Sequence, residues 1–258
     1  MSLIAGRGRR FGLGVGAVWL GLLAAFTAFV AGFDLDLSIV HDKLPSLLGL
    51  HLTPEGALQG VPLTLLVSLG AMALALGLGL LAALGKISSS PLAYGVATFY
   101  ISFFRGTPLL VQILLIYLGL PQLGPVPAAI PSGIVALSLC YGAYLSEIFR
   151  AHIVALDAGQ WLAGEALGMQ RPAILLHVIL PQALRHSVPP VGAMFISMLK
   201  DSSLVSVMGL WELMFLAQSY GRSSYRYVEM LLTAAVLYWL LSILLEFGQA
   251  LLERRLKT

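Results

Sequence analysis

The most constraining feature of this sequence is a long stretch without charge. No Asp, Glu, Lys or Arg occurs between Gln59 and Gly85. A helix of about 20 apolar residues is sufficient to cross the roughly 30 Å hydrocarbon core of a bilayer, so this stretch is long enough to span a membrane. Across the whole chain 59% of the residues are hydrophobic and only 10% are charged, whereas soluble domains carry roughly 25% charged residues. The sequence therefore predicts an integral membrane protein.

Six apolar stretches divide the chain. Because they lack the roughly ten-residue alternating segments of membrane β-strands, we interpret each of them as a helix. The predicted fold class is all-α, integral to the membrane, with about six transmembrane helices. The stretches lie at about residues 11–33, 60–85, 94–118, 131–150, 182–200 and 228–250.

The positions of the basic residues predict the orientation of these helices. If both termini are cytoplasmic, ten of the fifteen Lys and Arg residues lie inside, and only Lys43, Arg222 and Arg226 lie outside. Such an excess is typical of cytoplasmic loops, so we expect a multi-pass protein with both termini in the cytoplasm. The basic residues flank the spans, which explains the net charge of +3 without nucleic acid as a partner.

The first apolar stretch has two interpretations. It is either a retained transmembrane helix or the apolar region of a cleaved signal peptide. Its length and the absence of a clean A-x-A cleavage site favour a retained helix. In either case the remaining spans keep their orientation.

A short helix is predicted after the fourth apolar stretch. Asp157 is a suitable N-cap for a helix that starts at Ala158, with Gln160 as the reciprocal partner of a capping box. Gly168 is typical of a helix end, so the helix covers about residues 158–168 and is too short to span a membrane. The pattern alone fits either a docking surface or an ordinary helix at the membrane interface. Its apolar face consists of Leu162, Ala163, Ala166 and Leu167.

The same segment resembles the cytoplasmic loop of ABC-importer permeases. That loop carries Glu-Ala-Ala, three residues, Gly, nine residues and then Ile-x-Leu-Pro. With the Gly of the pattern aligned on Gly168, the tail falls on Val178 and Leu180-Pro181, and the head falls on Leu162-Ala163-Gly164. Four further segments are similar to polar amino-acid permeases of the histidine, glutamine, arginine and opine type: residues 103–112, 142–150, 181–185 and 199–204.

This resemblance implies an architecture and a set of partners. A five-helix permease core occupies residues 59–258, and residues 1–58 add an N-terminal transmembrane helix and a periplasmic segment. The short helix is then a coupling helix that docks on one of two ATP-binding subunits, which bind ATP and magnesium outside this chain. A second permease chain completes a homodimer or a heterodimer. A periplasmic or lipid-anchored binding protein delivers the amino acid to the bacterial inner membrane, where the chain is surrounded by lipid.

The coupling residues implied by the resemblance are Gly159, Gln160, Leu162, Ala163, Gly164 and Gly168. Leu162 departs from the pattern because it occupies the position of the family's glutamate. A leucine cannot accept a hydrogen bond from the ATPase, and Glu165 is the nearby carboxylate that could replace the glutamate in part. The departure leaves open how strongly the chain couples to its ATPase, and whether a heterodimeric partner retains the glutamate.

Polar residues in or near the spans are candidates for the substrate path: Arg105, Glu147, Lys200, Asp201 and Ser202. A charge inside the bilayer costs about 2.5–3.5 kcal/mol on insertion scales, so it must face protein or water. The adjacent Lys200 and Asp201 could contact the two charges of an amino acid, or they could neutralise each other. Arg105 is alternatively a structural anchor, and Glu147 alternatively pairs with Arg150 three residues along the helix.

The sequence contains no evident catalytic motif. The nearest approach to an ATP-binding P-loop, residues 79–87, has five residues between its glycines and ends at Ile87 instead of Ser or Thr. The five histidines are scattered and lack metal-ligand spacing. We therefore expect a permease with no catalytic residue, metal site or cofactor of its own. The alternative is an ion-coupled secondary transporter of small polar solutes, although the internal repeats of that class are not evident.

Overall fold

The computed structural model describes residues 9–33, 35–53 and 56–256. Within these ranges the regular structure is helical. The α-helices are α1 (Arg9–Ala31), α2 (Leu37–Leu47), α3 (Val61–Ile87), α4 (Pro91–Gly106), α5 (Leu109–Leu114), α6 (Ala129–Val154), α7 (Ala158–Ala166), α8 (Arg171–Ile174), α9 (Leu180–Asp201), α10 (Leu213–Ser224) and α11 (Tyr227–Leu256).

The described helices confirm the prediction of about six membrane spans. Five segments are long and apolar enough to cross a bilayer, and a bent pair of helices supplies a sixth. The five segments are Phe11–Ala31, Val61–Ile87, Ala129–Val154, Arg171–Met208 and Tyr227–Arg255.

The third span is not the continuous helix expected over residues 94–118. It is a pair of helices, Pro91–Gly106 and Leu109–Leu123, that meet at an angle of 107°. The bend lies at Thr107 and Pro108, whose backbones are both extended. Proline has no N–H to continue the helical hydrogen bonds, and it disfavours helical geometry in the residue before it. The chain therefore changes direction inside the apolar stretch.

Three further elements differ from the prediction. The fifth span begins at Arg171 and extends to Met208, well beyond residues 182–200. A π-helical turn at Leu175–Ile179 joins α8 to α9, and a 3-10 helix at Ser202–Met208 continues α9 at its end. Helices α2 and α10 were not predicted, since each is too short to produce an apolar stretch of spanning length.

The centre of the molecule is the contact between α3 and α6, which small residues bring close together. A methyl group added at Gly79 would lie 2.8 Å from Cβ of Leu145. One added at Gly142 would lie 2.5 Å from the hydroxyl of Tyr100 and 3.0 Å from Cβ of Leu78. Small residues at such contacts let helix backbones approach closely inside a membrane. By contrast, α1 is exposed along its apolar length.

A second cluster joins α2 to α10 and α11. Leu47 of α2 is fully buried against Leu213 and Leu216 of α10 and Met230 of α11. The carboxylate of Glu212, itself fully buried, caps α10 by accepting hydrogen bonds from the backbone N–H groups of Met214 (2.9 Å) and Phe215 (2.7 Å). This cap satisfies two N–H groups that would otherwise lack a partner at the helix start.

Candidate functional site

A pocket of about 280 Å³ lies where the third span is broken. We call it the central pocket. Thr107, Pro108 and Leu109 of the bend form one wall, Cys140, Tyr141 and Tyr144 of α6 form a second, and α9 forms the third. Tyr141 is twelve residues from the start of α6, or about 18 Å at 1.5 Å per residue. The central pocket is therefore near the middle of the span.

The central pocket contains one end of a chain of polar and aromatic contacts. The hydroxyl of Tyr141 donates to Oδ2 of Asp201 at 2.7 Å. The ring of Tyr144 lies 6.2 Å from that of Tyr141, and the guanidinium of Arg105 lies 5.3 Å from the centroid of the Tyr144 ring. This distance is within the range of a cation–π interaction. A carboxylate and a guanidinium therefore flank the same pair of tyrosines.

The five residues predicted for the substrate path do not all lie together in the structure. Asp201 lines the central pocket, and Arg105 reaches the pocket lining through Tyr144. Lys200 is exposed beside Asp201 in the last turn of α9. Ser202 is buried, and its hydroxyl donates to the carbonyl of Leu199 at 2.7 Å, which satisfies the backbone where α9 ends.

Glu147 belongs to an ion triad instead. Its carboxylate lies 2.6 Å from Nζ of Lys86 and 3.1 Å from Nη2 of Arg150. The pairing with Arg150 was one of the two roles that we considered, whereas Lys86 lies on α3 and is 61 positions away. The triad ties α3 to α6 in the half of α6 that leads to α7.

Of the residues around the central pocket, Asp201 was predicted from the sequence as a site residue. Tyr144 lies inside a segment quoted for the resemblance, but Cys140 and Tyr141 precede that segment, and Ser197 lies mid-helix in α9. A tyrosine in an apolar stretch is an ordinary core residue. Only the packing of α6 against the bend and α9 identifies these side chains as pocket residues.

Helix α7 occupies the position expected for the short helix. Oδ1 of Asp157 accepts from the N–H of Gly159 at 2.7 Å and so caps the helix, as expected. Gln160 does not act as the reciprocal partner in the geometry described; its Oε1 accepts from Gln182 at 3.4 Å. The helix ends at Ala166, and Gly168 turns the chain with φ +75°. A left-handed residue of this kind is the usual role of glycine after a helix.

Gly164 attaches α7 to the rest of the molecule. It is buried, and a methyl group at this position would lie 2.7 Å from Cγ1 and 2.8 Å from Cδ1 of Ile174. Ile174 is fully buried together with Ile153 and Ile179. Ile174 therefore occupies the space that a side chain at position 164 would need.

The opposite side of α7 is exposed and apolar. Leu162 is 65% exposed, and Leu167, directly after the helix, is 82% exposed; both lie outside the candidate membrane spans. Gly159, Gln160 and Ala163 are also exposed. Glu165, which we considered as a substitute for the missing glutamate, forms an ion pair with Nε of Arg171 at 3.0 Å. Its carboxylate therefore already has a partner within the chain.

Comparison with known proteins identifies the family. Residues 75–258 match the family described as the binding-protein-dependent transport system inner membrane component. The chain belongs to this family. The probable amino-acid permease protein YxeN of Bacillus subtilis (strain 168) is 40% identical over 200 residues, which is 76% of this permease and 89% of YxeN. The arginine transport system permease protein ArtQ of the same strain is 39% identical over 226 residues, 87% of this permease and 99% of ArtQ.

Solved structures agree with this assignment. An amino acid ABC transporter crystallised with histidines is 36% identical, with a TM-score of 0.77 over 86% of this permease and the whole of that chain. The MetNI methionine ABC transporter, at 19% identity and a TM-score of 0.63, shares the fold over 76% of this permease and 92% of that chain.

Family membership confirms several predictions together. The permease is the membrane subunit of an ABC importer and is a multi-pass inner membrane protein. Such a subunit is not itself an enzyme, and the family implies an ATPase and a binding protein as partners. The comparisons give no support to the secondary transporter that we considered as the alternative.

Proposed function

We propose that this permease moves a polar amino acid through the inner membrane and that the central pocket lies on the path. The arrangement of Asp201, Tyr141, Tyr144 and Arg105 is the observation that carries the proposal. An amino acid carries an ammonium group and a carboxylate, and the two charged side chains complement these groups. The proteins named YxeN and ArtQ are permeases for amino acids and for arginine, respectively, which supports this class of substrate.

The size of the central pocket favours a single amino acid. Small-molecule pockets usually measure about 300–1,000 Å³, and the central pocket, at about 280 Å³, is near the lower limit. The exposed Lys200 stands beside Asp201 and is a partner for the carboxylate of the substrate, while Asp201 is the partner for its ammonium group. Ser202 and Glu147 act as structural supports around the path.

The orientation that fits this function places both termini in the cytoplasm. Arg254 and Arg255 at the end of α11 and Lys86 at the end of α3 then lie inside, in agreement with the positive-inside rule. Helix α7 is then cytoplasmic and α10 is periplasmic. Residues 1–58 supply an additional span and a periplasmic segment to the core at residues 59–258.

The proposed complex contains two permease chains and two ATP-binding subunits in a lipid bilayer. ATP and magnesium bind to the ATP-binding subunits, and a periplasmic or lipid-anchored binding protein delivers the substrate. Helix α7 is the coupling helix. Gly168 shapes its end, Gly164 holds it against Ile174, and the side that carries Gly159, Gln160, Leu162 and Ala163 faces the ATPase.

We propose that Leu162 makes an apolar contact with that ATPase. An exposed leucine on a cytoplasmic helix gains about 1.5–3 kcal/mol when it is fully buried in a partner. Replacing Leu162 with glutamate would bring a charge into this contact and should weaken co-purification of the ATPase, whereas methionine should be tolerated. Unchanged or stronger co-purification of the glutamate variant would contradict an apolar contact and favour a polar one.

The central test measures ATP hydrolysis by the assembled importer in lipid nanodiscs, with its binding protein and a panel of amino acids. Stimulation by a polar amino acid is the expected result. Asp201→Asn should raise the concentration needed for half-maximal stimulation about tenfold, because a charge-assisted interaction is lost. Tyr94→Phe, on the exposed side of α4, is the matched control and should have no effect.

A second measurement connects the substrate to the central pocket. Cys140 is the single cysteine of the chain, is 4% exposed and lines the pocket. The transported amino acid should therefore slow alkylation of Cys140 by a maleimide. An assembled complex with no stimulation by any amino acid, and no protection of Cys140, would refute the proposed function. Uptake driven by an ion gradient without the ATPase would favour the secondary transporter.

A further inference from the structure

We infer that Gln112 is a positioning residue that holds one wall of the central pocket in place through its side-chain amide. The inference rests on the proposed role of that pocket. We call residues 104–112, which include the bend of the third span, the elbow. Gln112 lies on α5, is 2% exposed, and is not among the residues that line the pocket.

The backbone of the elbow contains carbonyl groups that need hydrogen-bond donors from outside the helix. The last four carbonyl groups of a helix have no partner within the helix, and α4 ends at Gly106 inside an apolar span. Pro108 cannot donate a backbone hydrogen bond. Little water is available at this depth, so other groups of the protein must satisfy the free carbonyls.

The side-chain amide of Gln112 supplies these hydrogen bonds. Its Nε2 carries two hydrogens and lies within hydrogen-bond distance of three acceptors: the carbonyl of Phe104 at 2.9 Å, the carbonyl of Thr107 at 3.1 Å and the hydroxyl of Thr107 at 2.8 Å. The hydroxyl of Thr107 in turn donates to the carbonyl of Phe103 at 2.9 Å. One amide from α5 therefore binds the end of α4 and the first residue of the bend.

The same part of the elbow is attached to α6. The thiol of Cys140 lies 3.8 Å from the carbonyl of Phe104, which Gln112 also contacts. The hydroxyl of Tyr100 donates to the carbonyl of Leu139 at 2.7 Å. These contacts place the end of α4 against α6 beside the central pocket. Because Thr107 is both bound by Gln112 and part of the pocket wall, Gln112 determines where this wall stands.

Among the described residues, the side chain of Gln112 makes its hydrogen bonds through the amide nitrogen. Its Oε1 is buried and has no hydrogen-bond partner in the described part of the chain. A residue that served only to fill space would need no amide here, since an unpartnered buried oxygen costs free energy. The nitrogen is thus the functional atom. A side chain of similar length without this nitrogen should keep the packing around position 112 but should no longer hold the elbow in place.

The test compares Gln112→Met, which removes the donor, with Val111→Met, which introduces the same side chain at an exposed neighbour on α5. Gln112→Asn keeps an amide on a shorter arm. ATP hydrolysis of the assembled importer is measured against amino-acid concentration. Gln112→Met should raise the half-maximal concentration about tenfold. Gln112→Asn should lie between it and the wild type, and Val111→Met should match the wild type.

Alkylation of Cys140 provides a readout that does not depend on transport. Loosening of the elbow should make Cys140 react at least about threefold faster in Gln112→Met than in Val111→Met. If Gln112→Met fails to assemble, Gln112→Asn becomes the deciding variant for both measurements. An unchanged half-maximal concentration with an unchanged alkylation rate overturns the inference. Faster alkylation in an importer that no amino acid stimulates supports the positioning role and refutes the proposed substrate class.

Discussion

Replacing Glu212 with glutamine tests which of two opposing effects controls the pKa of this buried carboxylate. Four donors point at it: the N–H groups of Met214 and Phe215, the hydroxyl of Tyr238 at 2.9 Å and that of Thr64 at 3.5 Å. Donors of this kind favour the ionised form, whereas burial disfavours it. Burial prevails and raises the pKa of Glu212 from 4.5 to about 7.

This shift makes the stability of the protein depend on pH. A carboxyl group with a raised pKa in the folded state binds its proton more tightly there than in the unfolded chain. Its contribution to stability is therefore complete below the unfolded pKa and is lost as the pH rises through the folded pKa. With pKa values of 4.5 and about 7, raising the pH from 5 to 8 should lower the free energy of unfolding by about 2.5 kcal/mol.

Glu212→Gln removes this titration, so the variant should lack that part of the pH dependence. We would follow thermal unfolding in nanodiscs by the fluorescence of the four tryptophans. Between pH 5 and 8 the midpoint of the wild type should fall about 5–10 °C further than that of the variant. Glu246→Gln, at an exposed position on α11, is the control and should follow the wild type. A wild type that gains stability relative to Glu212→Gln as the pH rises would refute the dominance of burial.

Three further substitutions test the coupling helix and the ion triad. Gly164→Ala should reduce ATPase co-purification because its methyl group would meet Cγ1 of Ile174 at 2.7 Å, and adding Ile174→Ala, which removes that atom, should restore it in part; no loss would show that Ile174 moves freely. Gly168→Val should cost about 1–2 kcal/mol because φ is +75° and should reduce substrate-stimulated ATP hydrolysis, whereas Gly168→Asn should be mild. Lys86→Met leaves Glu147 with one partner fewer and should lower stability by about 1–2 kcal/mol in denaturant titrations; an unchanged midpoint would show that the ion pair contributes nothing measurable.

Hydropathy was sufficient to predict the number of spans because a bilayer imposes a minimum length on any uncharged helix. The short coupling helix was predictable for a different reason, since Asp157 and Gly168 carry the local signals of a helix start and end. Both residues have the expected geometry. The spans and the coupling helix were predictable because each depends on residues that are close together in the chain.

The elbow and the buried carboxylate were not predictable in the same way. The apolar stretch at residues 94–118 is continuous in hydropathy, and the amide that satisfies the free carbonyls belongs to Gln112, an unremarkable polar residue until the bend is known. Glu212 resembles an ordinary loop residue in the sequence. Its partners Thr64 and Tyr238 lie 148 and 26 positions away, so only the assembled helices define its environment.

The ion pair between Lys86 and Glu147 has a mechanical consequence. It fastens α6 to α3 partway along α6, at a distance of 2.6 Å between Nζ and Oε1. Measured along the helix, Tyr141 lies about 9 Å to one side of Glu147 and Val154 about 10 Å to the other. Close packing joins the two helices on the same stretch, since Gly142 and Leu145 of α6 lie against Leu78 and Gly79 of α3. A push at the end of α6 that leads to α7 therefore displaces α3 together with α6, and the wall of the central pocket moves with them.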